Sequence, residues 1–405
     1  MADELISIER ARELVLERAP RLESESVPLR ETLGRVLAAP VESAENIPGF
    51  DNSAMDGYAV RSDDLVMAGG ETPTSLMVVD ESRAGHPASR ALDPGEAIAI
   101  STGAVIPAGA DAVVRVEDTN RDGEVVRIHA SVQAGTSIRL AGEDVRAGTE
   151  LLASGVRLGA AELGALAAVG RAQVPCARRP AVRVLLTGDE LVEPGKPLGP
   201  GQIRDSNAYA VPPLATGVGA EVASIEITGD DRAATLAALE RALVADITVI
   251  CGGVSVGEHD HVRPALEALG VEQVFWGVSL RPGKPTYFGV ASSGALVFGL
   301  PGNPVSAMVT FILFVRPALL VMQGADPAAG RLPARLACDY DKTTGRAEVI
   351  RVRLALTDAG WEATPTGPQG SHVLTSMLGA DGLAFAPAGS GLLRKGDPID
   401  VEPLR

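Results

Sequence analysis

Residues 246–260 read DITVICGGVSVGEHD. An apolar, largely β-branched run, Ile247-Thr248-Val249-Ile250-Cys251, stops at Gly252-Gly253, and the loop that follows ends on acids. Such a run, closed by paired glycines, predicts a buried strand feeding a loop that another group approaches closely. Phosphate-cradling loops after strands usually carry a Lys and a hydroxyl residue, whereas this one carries Glu258 and Asp260. A backbone cradle with carboxylates needs a partner that joins the two.

Outward from this stretch, residues 180–324 repeat the order strand, loop, helix. Strands are predicted at 182–186, 221–227, 247–251, 271–276 and 295–298, and helices at 232–244, 261–269 and 304–320. That alternation predicts a doubly wound α/β domain. Upstream, Leu5, Ile8, Ala11 and Val15 share one face of an expected helix over 4–18. Short β-rich runs at 75–79, 97–100, 112–116 and 125–128 alternate with Gly, Pro and Asp turns and predict a small all-β domain. A helical stretch is expected at 160–169. After Asp326-Pro327 the β texture returns at 331–338, 348–356 and 399–402, which predicts a small C-terminal β-domain.

Composition narrows the class. The chain has 405 residues, 46% hydrophobic and 22% charged, ordinary for a soluble protein of several domains. A formal net charge of −16 repels a nucleic-acid backbone and an anionic membrane, so neither is expected as a partner. An anionic substrate must then be met by local cations, and only four lysines occur: Lys196, Lys284, Lys342 and Lys395. Cys176, Cys251 and Cys338 are few and far apart, which predicts a reducing, cytoplasmic setting without a disulfide framework or zinc site. The acidic, amphipathic start does not read as a signal peptide. The apolar stretch 305–322, cut by Arg316 and Pro317, is expected to be too short for a membrane span and to form a buried helix.

Ligands of open α/β sheets bind beyond the carboxyl ends of the strands. Three loops are predicted there: TGDE (187–190), GGVSVGEHD (252–260) and GLPGNP (299–304). Asn303 and Pro304 suit a helix start whose free N–H groups and Ser306 hydroxyl would hold an anion; a rigid, well-capped corner explains them equally well. In RPGKPTYF (281–288), prolines pre-order Arg281 and Lys284, which lowers the entropy cost of gripping an oxyanion. Glu190, Asp230 and Asp260 at strand ends point to Mg2+, which bridges protein acids and substrate phosphates, although Asp230 alone reads as a helix cap. His259 and His261 lack the further ligands a zinc site needs. In FDNSAMDGYAVR (50–61), an Asx-type turn is the plain reading, and 101–111 and 140–149 share its Gly/acid texture.

Taken together, DNSAMDGYAVR, STGAVIPAGADAVV, GEDVRAGT, TGDELVEPGKPLGPGQIRDSN, GGVSVGEHD, RPGKP, GLPGNPVSA and TGPQGSH, in this order, closely resemble the MoeA family of molybdopterin molybdenumtransferases, which includes the C-terminal domain of gephyrin. The resemblance covers essentially the whole chain. It implies four domains: an elongated one from 1–45 with 146–178, an inserted β-domain at 46–145, a molybdopterin-binding α/β domain at 179–326, and a C-terminal β-barrel at 327–405. It also implies a homodimer with a composite cleft, and a reaction of adenylylated molybdopterin with molybdate and Mg2+ that yields molybdenum cofactor and AMP.

Carried over by motif, the catalytic set is Asp56, Thr102, Asp144, Glu190, Asp230 and Asp260, with Asp56, Thr102 and Asp144 acting across the dimer and Glu190, Asp230 and Asp260 on the metal. Lys284, Ser306, Arg351 and Ser371 would handle molybdate. Asn207 and the backbone of Gly252 and Gly253 would meet the pterin or its phosphate, and Ser255, Arg281, Pro301 and Asn303 complete the substrate-binding set. Many relatives carry Lys or Arg just after the Phe275-Trp276 position, where this chain has Gly277, so local positive charge is lower by one. Other molybdenum cofactor biosynthesis proteins are further expected partners. A molybdopterin adenylyltransferase shares the α/β domain, but the inserted β-domain and C-terminal barrel oppose that reading. A gephyrin-like scaffold would need further N-terminal segments.

Overall fold

The computed structural model describes residues 5–254, 260–328 and 330–404. The chain divides into two units, Met1–Ala39 with Ser154–Gly159 and Val174–Arg405, and Pro40–Ala153 with Ala160–Gln173.

In the first unit a six-stranded sheet runs in the order Glu221–Thr228, Ala181–Thr187, Ile247–Cys251, Leu296–Leu300, Tyr287–Val290, Glu272–Trp276. The first four strands and Glu272–Trp276 run in one direction, and Tyr287–Val290, between Leu296–Leu300 and Glu272–Trp276, runs antiparallel to both neighbours. All five residues of Ile247–Cys251 are buried, as a strand covered on both faces requires. Alternate residues feed different cores. Val184, Leu186, Val249 and Phe298 pack with Val211, Ala215, Val305 and Phe311 on one face. Leu185, Ile250 and Val297 pack with Leu239 and Leu266 on the other. The doubly wound expectation is met. The chain lays down Ala181–Thr187, adds Glu221–Thr228 on one side, then crosses to Ile247–Cys251 on the other. Strand order therefore reverses between Ala181–Thr187 and Ile247–Cys251, and the crevice opens beyond their carboxyl ends.

Three elements depart from expectation. Helix Asn207–Gly217 went unread because Pro212 and Pro213 lie inside it, and interior prolines argue against helix. Burial of Val211 and Ala215 in the sheet's core outweighs that penalty, and the Asp205 carboxylate accepts the Ala208 N–H at 3.1 Å at its start. Strand Tyr287–Val290 was also unread. The apolar stretch expected to be too short to span a membrane is a continuous 19-residue helix, Pro304–Met322, long and apolar enough by composition alone, but 78% buried in the protein. Pro317 has no N–H for the Leu313 carbonyl, and Phe311–Val315 widens into a π-turn next to it.

The N-terminal helix, Ile8–Leu16, is shorter than expected because Ser7 caps it, accepting the Arg10 N–H at 3.1 Å. Ile8, Ala11 and Val15 are buried, as the periodicity requires. Toward the C-terminus, Ala347–Thr357, Gly360–Pro365, Leu332–Leu336, Pro398–Pro403 and Gly382–Ala386 pair in turn, and Gly382–Ala386 pairs back to Ala347–Thr357. This closes the expected barrel around Ile350, Val352, Ala363, Ala384 and Val401.

The second unit holds a six-stranded sheet in the order Ala112–Arg115, Gly57–Val60, Glu96–Ile100, Thr74–Ser82, Val125–Ile128, Thr119–Asp122. Gly57 in DGYAV is required by space: a Cβ there would lie 1.9 Å from the Val114 carbonyl oxygen.

Candidate active site

At the switch point of the parallel sheet lies a cleft of about 500 Å³. Four strand ends line it: Thr187, Gly188 and Glu190 after the first strand, Asp230 after the second, Cys251, Gly252 and Gly253 after the third, and Gly302, Asn303 and Pro304 after the fourth. Asn207 and Asp260 complete the wall. The opening stretch of sequence thus ends where a ligand would sit.

The paired glycines have a steric reason. Gly252 has φ +95, and a Cβ there would come within 2.9 Å of both the carbonyl and hydroxyl oxygens of Thr187. Gly253 has φ +63, and its Cβ would meet the Thr187 hydroxyl at 2.8 Å. Side chains at either position would fill the floor of the cleft and strain the backbone.

Glu190, Asp230 and Asp260 all line this cleft, as the motifs required. Asp230 is held by its neighbour, its N–H donating to the Asp189 carboxylate at 3.1 Å. Among the described residues no group of three His, Cys, Asp or Glu side chains is gathered closely enough to hold a metal ion. The acids rim the cavity and do not form a cage. Such a set fits a cation that brings oxygens of its own from a phosphate and water, as Mg2+ does. Cys251 also faces the cleft, but burial, with the Asp205 charge adding to it, pushes its thiol up to about 12. It is no nucleophile at neutral pH.

A second cavity of about 390 Å³ adjoins the first and shares Asn303 with it. Arg281, Pro282, Lys284, Pro301, Ser306 and Ser371 line it, together with Arg346, Gln369 and His372. Here three basic side chains gather in a strongly acidic protein. Arg281 is only loosely paired, 3.9 Å from the buried Glu348 carboxylate. Asn303 donates to the Ser371 hydroxyl at 3.2 Å, and the Val305 N–H donates to the Ser371 carbonyl at 3.3 Å. These bonds tie the 369–372 loop of the barrel to the start of the long helix.

Arg351 is placed differently from the other residues expected on the oxyanion. Its side chain is fully buried and does not line the cavity. The guanidinium donates to the Ser376 hydroxyl at 3.2 Å, the Val349 carbonyl at 3.2 Å and the Gly370 carbonyl at 3.4 Å. Its own N–H donates to the Gln369 side chain at 2.8 Å. Arg351 therefore braces, from behind, the loop that carries Ser371. Burial pushes its pKa down to about 10, so it stays charged at neutral pH.

In the second unit Asp56 accepts both the N–H of Thr102 at 2.7 Å and its hydroxyl at 3.1 Å, so these two distant motifs meet. Asp144 lies in the same unit on an exposed loop, its N–H donating to the Ile47 carbonyl at 3.0 Å. Ser255 lies outside the described residues, as do Glu258 and His259. Sequence reasoning missed Thr187, Asp205 and Arg346. The first two sat inside quoted motifs, whereas nothing around Arg346 sets it apart from a surface arginine.

Three family models match the chain in succession: the MoeA N-terminal region (domain I and II) over 6–170, a probable molybdopterin binding domain over 183–321, and the MoeA C-terminal region (domain IV) over 333–404. A molybdopterin molybdenumtransferase of Nostoc sp. is 38% identical over 96% of this chain and 92% of its own. One from Haemophilus influenzae is 36% identical over 99% of each. The crystal structure of a molybdopterin biosynthesis MoeA protein from Pyrococcus horikoshii, 31% identical, superposes with a TM-score of 0.84 over 98% of this chain and 99% of that one. With three family models matched in succession and relatives this similar over the full length, the chain belongs to the MoeA family.

Proposed function

We propose that the protein is a molybdopterin molybdenumtransferase that takes adenylylated molybdopterin and molybdate and yields molybdenum cofactor and AMP. The observation that carries this reading is the pairing of an acid-rimmed cavity at the switch point with a cation-lined cavity beside it, the two sharing Asn303. The first suits the pterin, its phosphate linkage and a divalent cation. The second suits a small dianion. The cradle with carboxylates is thereby accounted for: glycines admit a phosphate, and acids hold the cation that accompanies it.

In this reading Asn207 and the Gly252 and Gly253 backbone seat the pterin and phosphate, while Glu190, Asp230 and Asp260 hold Mg2+. Bound there, Mg2+ offsets phosphate charge and polarises the linkage to AMP. Lys284 and Ser306 contact the oxyanion, Arg281 and Ser371 close the cavity around it, and Arg351 sets the position of Ser371. Gly277 leaves one fewer cation nearby than in many relatives. The four domains follow the boundaries 1–45 with 146–178, 46–145, 179–326 and 327–405. Asp56, Thr102 and Asp144 act on the cleft of the partner subunit in a homodimer. The compartment is the cytoplasm, in keeping with three free cysteines.

Incubating the purified protein with adenylylated molybdopterin, Mg2+ and molybdate tests the activity. AMP release that depends on molybdate is expected, and release that ignores it would overturn the reading. For the dimer, mixed Asp56→Asn and Asp260→Asn subunits should regain activity, since each heterodimer keeps one intact cleft. Verified heterodimers without recovery would place Asp56 outside its partner's site.

A further inference from the structure

Asn303 stands at the N-cap of the long helix, where an Asn side chain ordinarily accepts an N–H of the first turn, yet here it makes no such cap. It reaches instead across 68 positions of sequence, and its amide N–H donates to the Ser371 hydroxyl oxygen at 3.2 Å. The backbone holds both residues in place. The Ala307 N–H donates to the Asn303 carbonyl at 3.0 Å, and the Val305 N–H donates to the Ser371 carbonyl at 3.3 Å. A hydroxyl has one proton to give and two lone pairs to offer. With an N–H already on the oxygen, and no acceptor for the proton among the described residues, the Ser371 hydroxyl is left to donate into the cavity.

The acceptors of this cavity's wall are already occupied. Gln369 accepts the Arg351 N–H at 2.8 Å and turns its own amide to the Arg351 and Gly367 carbonyls. The Gly370 carbonyl takes the Val373 N–H at 3.1 Å and the Arg351 guanidinium. The Gly283 carbonyl takes the Thr286 hydroxyl at 2.7 Å, and the Lys284 carbonyl takes the Val278 and Thr286 N–H groups at 2.9 Å. What faces inward is Arg281, Lys284, Arg346 and the oriented Ser371 hydroxyl. Ser306 and His372 can present either a proton or a lone pair, and an anion beside three cations draws their protons inward.

A lining of donors distinguishes two tetrahedral dianions of equal charge. Molybdate offers an acceptor at every oxygen. Hydrogen phosphate carries one O–H, which here meets another donor and goes unpaired at a cost. We propose that Asn303 is a positioning residue that turns the Ser371 proton into the cavity, so that the site selects a fully deprotonated oxyanion over hydrogen phosphate. This rests on the oxyanion reading of the cavity and adds to it the means of selection.

The test titrates molybdate and phosphate separately, by calorimetry, into wild type, Asn303→Ala, Ser371→Ala, the double variant and Asn303→Asp. Wild type should bind molybdate roughly tenfold or more tighter than phosphate, the effect of one unpaired hydrogen-bonding group. Each alanine variant should weaken molybdate about tenfold, and the double variant no more than Ser371→Ala, because Asn303 acts only through that hydroxyl. In Asn303→Asp the carboxylate accepts the Ser371 proton and a lone pair turns inward. Its added charge weighs on both dianions alike, so the fall expected in the molybdate-to-phosphate ratio reads the turned hydroxyl. Equal binding of the two anions by wild type, a comparison that needs no variant, would overturn the proposal. So would additive losses in the double variant, or an unchanged ratio in Asn303→Asp. Wild type that binds neither anion would refute the oxyanion reading itself, and the proposal with it, whereas binding with additive losses refutes the role of Asn303 alone.

Discussion

The two cavities that meet at Asn303 are built from opposite chemistry. The one at the switch point is rimmed by Glu190, Asp230 and Asp260 and floored by glycine backbone. The other is lined by Arg281, Lys284 and Arg346 with serine hydroxyls between them. A protein with a net charge of −16 gathers three of its basic side chains around a single small space. The contrast teaches that charge is sorted here on the scale of one loop. Two polyanionic groups, a phosphate and an oxyanion, can then be held close together through different means: a metal ion with backbone N–H groups for one, fixed cations for the other.

The largest effect should come from the acidic side. Asp260→Asn keeps the shape of the side chain and removes its charge, so turnover should fall roughly a hundredfold or more while the melting temperature barely moves. A normal rate with a lowered melting temperature would make Asp260 structural and dissolve the contrast.

On the cationic side, Arg351→Ala should cost about 3 kcal/mol of stability, because the Val349 and Gly370 carbonyls and the Ser376 hydroxyl lose a buried partner and a void is left. Thermal melting checks this. A variant as stable as wild type that needs far more molybdate would mean that the guanidinium touches the oxyanion directly.

Much of this was legible in the sequence. Ile247-Thr248-Val249-Ile250-Cys251 announces a strand buried on both faces because no polar alternation interrupts it, and the structure buries all of it. Glu190, Asp230 and Asp260 stood out as acids in glycine-bearing loops at strand ends, and they share one cleft. Other features were hidden for physical reasons. Helix Asn207–Gly217 contains two prolines, and only tertiary packing makes it helical. Arg346 lines the cavity that was expected to hold Arg351. The fully buried residue carries the motif's charge behind the loop, whereas an arginine with no distinguishing neighbours faces the cavity. Burial of an arginine depends on what closes over it, and local sequence does not encode that.

The most direct test of the division between the cavities is a pair of titrations on Lys284→Ala, following AMP release. Of the two cavities, Lys284 lines the cationic one and not the acid-rimmed one. Loss of one charged donor should raise the half-saturating molybdate concentration by about one to two decades, while that of adenylylated molybdopterin stays within about twofold of wild type. Unchanged molybdate dependence with weakened binding of the adenylylated pterin would place Lys284 on the phosphate and contradict the separation of the two cavities.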